Sequence, residues 1–404
     1  MELLLEGTRV IDWTIWQAGP YASGMLADLG AEVIHVEELR RGDPQRGLHT
    51  FAGISLTVPG GRTIQFEEYN RGKKSLAIDL KKPEGQEVIK RLVKHSDIFV
   101  TNYLPGAAKR LGLDYDSLSQ LNPKIIYARA SSYGPEGPDA NQGGLDLPGA
   151  ARSGMMMNSG EFEQRPIHVA TGIGDRSVSH CLVLGILAGL LGREKFKRGQ
   201  LVTVSLLGAL INLQGCGIVA AANMGSEFKP HKRACPGNAL WNWYKCKDGR
   251  WIILAMLSHE RYWTVFCQAV GMPQLAEDPR FKNEDTARKN VEQMVAVLDG
   301  IFITKAYHEW EAILKKHDVV FTACNSIMDV LSDPQVLANK YIYDWEHPVL
   351  GRIKNVGPPV DLNLTPLYPR GPAPEYGQHT EEVLLEVGGY TWDEICSLRD
   401  KDVI

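Results

Sequence analysis

The chain has 404 residues, 44% apolar and 23% charged, with 44 basic against 48 acidic side chains for a net charge of -4. That length exceeds one ordinary core and predicts two globular domains, while a pI of about 6.3 leaves no basic stripe to read nucleic acid. Seven scattered cysteines (Cys181, Cys216, Cys235, Cys246, Cys267, Cys324 and Cys396) form no C-x-x-C pair, which predicts reduced thiols and argues against a disulfide frame or a zinc site.

In chain order, Thr8 to Trp13 is a predicted buried strand, followed by a helix from Gly19 to Leu29 with Pro20 in its first turn and Gly30 at its end. Further strands are predicted at Ala31–Val36, Ser75–Leu80, Asp97–Thr101 and Lys124–Ala128, with a helix opened by Pro83 that repeats Val88, Leu92 and Val93 at helical spacing. Such β-α-β repetition predicts an α/β class: a doubly wound, mostly parallel, Rossmann-like large domain whose ligands sit beyond the strand ends. The strand ends carry Trp16-Gln17-Ala18, Glu37 to Arg41, Asn102-Tyr103 and Ser131-Ser132.

Composition shifts near residue 225. A hairpin over Leu240–Cys246 and Trp251–Met256, then helices over Glu260–Val270, Thr286–Ile303 and Tyr307–Lys316, predict a smaller α+β domain over 225–325. Residues 1–224 are then the first part of the large domain, and 326–404 return to it, ending in a helix from Thr380 to Glu386. The N-terminus has no signal-peptide pattern. The apolar run Cys181–Leu191 is short for a bilayer, and Leu201–Ala222, interrupted by Ser205, Asn212, Gln214 and glycines, reads better as a buried strand followed by a core helix. The expectation is a soluble cytoplasmic protein with neither membrane nor nucleic acid as partner.

Several chemistries are excluded by the residues. Trp16-Gln17-Ala18-Gly19-Pro20-Tyr21 is no G-x-G-x-x-G, and Pro20 removes a backbone donor. Arg71-Gly72-Lys73-Lys74-Ser75 imitates a phosphate loop, but Glu67 replaces its first glycine and Lys74 its Ser or Thr. No G-x-S-x-G or H-E-x-x-H occurs. The eleven histidines are dispersed, so no metal is expected, and His35 in its strand is a core residue.

One segment stands out. Gly143-Gly144-Leu145-Asp146-Leu147-Pro148-Gly149-Ala150 sets a single carboxylate among glycines and small apolar residues. An aspartate, with its ordinary pKa of about 3.9, is an anion at neutral pH and can act as a covalent nucleophile. Gly143, Gly144, Gly149 and Ala150 would let backbone N–H groups approach a developing oxyanion. The plainer reading makes Asp146 a helix N-cap with Pro148 in the first turn, and one residue can serve both purposes.

Read together, ordered motifs carry a resemblance. Gln17-Ala18-Gly19-Pro20, Leu26 to Ile34, Gly42-Asp43-Pro44, Asn70 to Leu76 and Asn102-Tyr103-Leu104-Pro105-Gly106 come first. Gly144-Leu145-Asp146, Gly199-Gln200, Asp278-Pro279-Arg280-Phe281 and Gly377-Gln378-His379-Thr380 come later in the chain. The chain resembles the family III CoA-transferases, typified by the formyl-CoA:oxalate and carnitine enzymes. The resemblance implies that Asp146 attacks an acyl-CoA thioester, passing through an aspartyl anhydride and an aspartyl-CoA thioester before CoA reaches an organic acid. It implies CoA or acyl-CoA as substrate, no tightly bound cofactor, and an interlocked dimer, either a homodimer or a heteromer with a homologous subunit. Its implied CoA contacts are Gln17, Ala18, Ile78, Lys81, Asn102, Tyr103, Leu104 and Arg110.

The sequence departs from the family pattern at three places. The family arginine after the second strand falls on Glu38, with Arg40 or Arg41 as replacements; a lysine after the fifth strand is Ser131. The shielding glycine run is instead Pro236-Gly237-Asn238-Ala239-Leu240-Trp241-Asn242-Trp243. With Met155-Met156-Met157, that segment predicts an apolar or aromatic acyl group such as an arylalkyl acid, unless those residues are ordinary core. Two alternatives remain at this level: a non-catalytic CoA-binding subunit, and an α-methylacyl-CoA racemase. The racemase pattern pairs a histidine before the aspartate with a second acid. Leu145 replaces that histidine here, and Asp175 alone cannot exchange a proton on both faces.

Overall fold

The structure, a computed structural model, describes residues 3–161, 164–228 and 230–404. The chain forms two compact units: the larger holds the residues up to Met156, His168–Glu227 and Lys340–Ile404, the smaller Met157–Ile167 and Phe228–Asn339. The division differs from the expected one at three points: the smaller unit begins at 228 and not 225, the return to the large unit comes at 340 and not 326, and the segment 157–167 belongs with the smaller unit.

Six strands build the large unit's sheet: β1 (Arg9–Trp13), β2 (Glu32–Glu38), β3 (Lys74–Ile78), β4 (Ile98–Thr101), β5 (Ile126–Ser131) and β6 (Gln200–Ser205). They lie in the order β6-β5-β4-β1-β2-β3, every neighbouring pair parallel. Five helices cover the sheet or frame its ligand end: α1 (Ala18–Asp28), α2 (Pro83–Val93), α3 (Asp146–Arg152), α4 (Ile173–Phe196) and α5 (Leu206–Leu213).

The period-2 alternation of the strands buries both faces of the sheet. Val10, Val33, Ile98, Val100 and Ile126 pack with Ala22 and Leu26 of α1 and Val178, Leu182 and Ile186 of α4. Ile11, Ile34, Leu76, Phe99 and Tyr127 pack on the other face with Val88 and Leu92 of α2 and with Val383, Leu384, Ile395 and Leu398 near the C-terminus. The C-terminal segment is fixed to β3 by main-chain bonds from His379 N–H to the Ser75 carbonyl (3.0 Å) and from Asp79 N–H to the Val403 carbonyl (2.8 Å). Strand order reverses between β1 and β4, and an open sheet of this kind places ligands in the crevice beyond that switch point.

α4 is longer than the apolar run at its centre suggested. It has 24 residues and is long and apolar enough, by length and composition, to cross a membrane; α5 and the helix Gly215–Met224 form a second such candidate bent by 79°. In this fold α4 buries Leu182 and Ile186 against the sheet while Leu184 and Leu191 remain exposed. The stretch 201–222, expected as a strand and a core helix, is β6, then α5 with Leu206, Ala209 and Leu210 buried, then a helix with no buried residue.

In the smaller unit β7 (Trp241–Lys245), β8 (Trp251–Ala255) and β9 (Phe321–Cys324) make an antiparallel sheet. Its core is aromatic: Phe302 stacks on Tyr244 at 5.1 Å between ring centroids and meets Trp310 edge-on at 5.2 Å. The single helix expected over 286–303 is two, Glu284–Lys289 and Val291–Phe302. The break is at Asn290, whose side chain turns back to donate to the Thr286 carbonyl (2.9 Å).

Candidate active site

The site is assembled from loops at the carboxyl ends of β1, β4 and β5 and from the N-terminus of α4. Asp146 is the first residue of α3, and the N-cap position before it is Leu145, which makes no side-chain cap. The N-cap reading of Asp146 for its own helix is thereby corrected. Its carboxylate caps a different helix. Oδ2 accepts from the Gly172 N–H (2.9 Å), and Oδ1 accepts from the N–H groups of Gly174 (2.7 Å) and Asp175 (3.1 Å). Gly172 is the N-cap of α4, so the carboxylate sits on three orphan donors at the positive end of a 24-residue helix. Arg152, at the other end of α3, pairs with Asp139 (2.5 Å), and among the described residues no cation pairs with Asp146.

The amides that hold the Asp146 carboxylate lie outside the segment 143–150; the N–H groups of Gly143, Gly144, Gly149 and Ala150 were expected instead at the developing oxyanion of the substrate. Two glycines outside the highlighted segment supply the room. Gly172 has φ of +81°, a left-handed conformation that suits glycine, and a Cβ there would lie 2.7 Å from Gln17 Nε2. A Cβ on Gly174 would lie 2.9 Å from Asp146 Oδ1 and 3.2 Å from Leu210 Cδ1. Gly174→Ala is accordingly expected to displace the carboxylate and lower turnover about 100-fold, with the fold retained. Steady-state rates beside circular dichroism check this.

Asp146 is partly exposed, and the residues immediately before it border an open cleft of about 450 Å³ lined by Trp16, Ala18, Asn102, Tyr103, Leu104, Ser131, Gly143, Gly144, Leu145 and Asp175, among others. Of the residues predicted to bind CoA, Ala18, Asn102, Tyr103, Leu104 and Ser131 line it, and the Gln17 carboxamide lies against Gly172. Arg40, Arg41, Lys81 and Arg110 are exposed at the surface and do not line it. Ile78 is 1% exposed in the core facing α2, so its side chain belongs to packing and not to a ligand. Asn102 uses its amide structurally: Nδ2 donates to the Ile15 carbonyl (2.7 Å) and Oδ1 accepts the Ile15 N–H (3.0 Å). That clamp holds the turn in which Trp16 has φ of +66° and stands at the cleft wall. Tyr103 stacks on Trp13 at 4.3 Å.

Beneath this turn lies a polar cluster sealed from water. Asp12 of β1 accepts from Thr14 Oγ1 (2.5 Å), Ser23 Oγ (2.6 Å) and Lys73 Nζ (2.8 Å), and lies 3.0 Å from His35 Nδ1. Lys73 Nζ also donates to the Pro20 carbonyl and to Asn70 Oδ1, both at 2.8 Å. Burial raises the Asp12 pKa, but Lys73 and His35 outweigh it and hold the carboxyl far below the usual range. Burial likewise opposes charge on His35, yet Asp12 and Asp43 raise it to about 9. His35 is thus a core residue as expected, and a charged one. The imitation phosphate loop finds its purpose here: Lys73 is fully buried and ties β1 to α1.

Met155 is buried with Ala150 and Leu210, the ordinary core reading. Met157 and Trp241 are exposed in the smaller unit. The apolar lining of the cleft comes instead from Ile15, Trp16, Leu104, Leu145, Val178 and Leu206.

Comparison with known proteins decides the family. The sequence profile described as CoA-transferase family III matches residues 5–380. The chain belongs to CoA-transferase family III. It is similar to the (R)-2-hydroxy-4-methylpentanoate CoA-transferase of Clostridioides difficile, 32% identical with both chains fully covered. It is also similar to the succinyl-CoA:glutarate CoA-transferase of Mus musculus, 32% identical over 99% of this chain and 90% of that one. A CAIB/BAIF family protein from Brucella suis has the same fold, with a TM-score of 0.85, 26% identity, and 96% and 100% of the two chains covered. This family member is a CoA-transferase, acting on acyl-CoA and an organic acid.

Proposed function

We propose that this CoA-transferase works through Asp146 as a covalent nucleophile, taking CoA from a donor such as succinyl-CoA to an apolar organic acid of the arylalkyl type, of which benzylsuccinate is an example. The observation that carries the mechanism is the seating of the Asp146 carboxylate on the amides of Gly172, Gly174 and Asp175 beside an open cleft. Asp146 attacks the thioester carbonyl, the thiolate leaves, and an aspartyl anhydride remains. When the thiolate attacks the aspartyl carbonyl, the negative charge builds on an Asp146 oxygen that these amides already hold. Donor acid departs, the acceptor carboxylate attacks the aspartyl-CoA thioester, and the thiolate takes the new acyl group.

The acceptor reading is supported by the Ile15, Trp16, Leu104, Leu145, Val178 and Leu206 lining and by a relative named for a branched 2-hydroxy acid; the donor reading is supported by a relative named for succinyl-CoA. Arg40, Arg41, Lys81 and Arg110 are exposed cations following β2, β3 and β4, and we assign to them the phosphates of CoA, where arginine binds bidentately. Assays of succinyl-CoA with a panel of acids test the substrate class. Benzylsuccinate-like acceptors are expected to exceed oxalate or formate in kcat/KM by at least about tenfold, since each well-buried methylene contributes about 0.8 kcal/mol. A preference for the small acids would refute the arylalkyl assignment.

A further inference from the structure

Among the described residues, positive φ outside glycine occurs at Trp16, Ala52, Lys197, Lys340 and Asp402, and of these Trp16 alone borders the cleft. The left-handed region is unfavourable for any residue with a Cβ, so the surroundings must hold Trp16 there. The hold is visible on both sides of the turn between β1 and α1. The Ile15 N–H and carbonyl are bonded to the Asn102 carboxamide at 3.0 and 2.7 Å. Beyond the turn, the Ala18 carbonyl accepts from Ser179 Oγ of α4 at 2.7 Å. The indole takes no part in this. Trp16 is 39% exposed, and among the described residues its Nε1 donates to no protein atom and its ring meets no other ring or cation. Trp13 of β1, by contrast, is 5% exposed and stacked on Tyr103. A lone exposed apolar side chain is ordinary. A strained backbone, fixed by its neighbours and presenting an unpartnered aromatic ring to a cleft, is the mark of a ligand contact.

We propose that the Trp16 indole is the face on which the arylalkyl part of the acid lies, and hence the residue that sets the choice of acid. The proposal rests on the arylalkyl reading of the acceptor. A flat ring with no protein partner offers an arylalkyl ring an offset-stacked or edge-on contact. Ile15, Leu104, Val178 and Leu206 line the same cleft and extend the apolar surface around it. Oxalate and formate have no apolar surface with which to use that face. The strain places the ring, and the ring discriminates among acids without touching the atoms that react.

The test compares kcat/KM for benzylsuccinate and for oxalate, each with succinyl-CoA as the probe donor, in the wild type, Trp16→Phe, Trp16→Ala and Trp16→Gly. The preference for benzylsuccinate is expected to persist within about threefold in Trp16→Phe, which keeps an aromatic face, and to fall at least about tenfold in the other two. Melting temperatures read the strain apart from the substrate. Glycine accepts a positive φ and alanine does not, so Trp16→Gly is expected to melt about 2 °C or more above Trp16→Ala. An unchanged preference in the alanine and glycine proteins overturns the proposal, as does equal melting of the two. Equal losses for both acids with a raised KM for succinyl-CoA also overturn it, by placing the indole on the CoA arm. Failure of the underlying reading shows in a different protein: a wild type that prefers oxalate sinks the arylalkyl acceptor, and the proposal with it.

Discussion

Replacing Asp146 with alanine is expected to slow CoA transfer by roughly 10³-fold or more, because removing a covalent nucleophile removes the reaction path and not just one contact. Asp146→Asn keeps the shape and a hydrogen-bond acceptor at the α4 N-terminus but cannot form the anhydride, so it is expected to be similarly inactive. The cost to stability is small by comparison. Loss of an anion at a helix N-terminus amounts to about 0.3–1 kcal/mol, against a site held also by the packing of Gly149 and Ala150. Equilibrium unfolding and steady-state assays of both variants separate the two effects. Full activity in the alanine protein would contradict the mechanism, and it is also the result that a merely structural cap would give.

The second large effect concerns stability. Asp12→Asn is expected to destabilise the large unit by about 3–5 kcal/mol, the usual consequence of leaving a buried cation without its partner. Lys73 and His35 both lose their principal anion, and the Thr14 and Ser23 hydroxyls lose a charged acceptor. The melting temperature should fall on the order of 10 °C. The pH dependence carries a sign. The folded pKa of His35, about 9, lies above its ordinary value of 6.5. Its contribution is complete below about pH 6.5 and is lost as the pH rises through about 9. Denaturant unfolding of the wild type near neutral pH and near pH 9.5 should show this alkaline loss, and Asp12→Asn should show less of it, because Asp12 is what raises His35. Equal alkaline losses in the two proteins would refute this role of the cluster.

How much of the fold was legible in the sequence depends on the physics of each signal. Five of the six parallel strands, β1 to β5, were legible because burial on both faces leaves apolar runs such as Val10-Ile11 and Ile98-Phe99-Val100, whereas β6 has no buried residue. The helix Thr380–Glu386 was legible to the residue, because Gly377 precedes it and Gly388-Gly389 lies just beyond, but it does not end the chain: a further helix, Trp392–Asp400, was not expected. α4 was underestimated because its exposed face is also apolar, at Leu184 and Leu191, so no amphipathic stripe marks its extent. The segment around Asp146 was singled out for its small residues, but the amides that hold its carboxylate were not, since backbone donors have no side-chain signature. The available signal was Gly172-Ile173-Gly174-Asp175 opening a long apolar helix, the pattern of an anion site at a helix N-terminus. Lys73 looked like part of a failed phosphate loop because burial of a lysine against Asp12 joins positions 61 residues apart. No local window contains that information.

The mechanism depends above all on Asp146 becoming bonded to CoA during turnover. Intact-mass measurement after mixing the protein with succinyl-CoA and quenching, combined with peptide mapping, tests this directly. A mass gain matching CoA, assigned to Asp146 and missing in Asp146→Ala, is the expected result. Transfer of CoA to an acceptor with the Asp146 peptide unmodified at every quench time would contradict it.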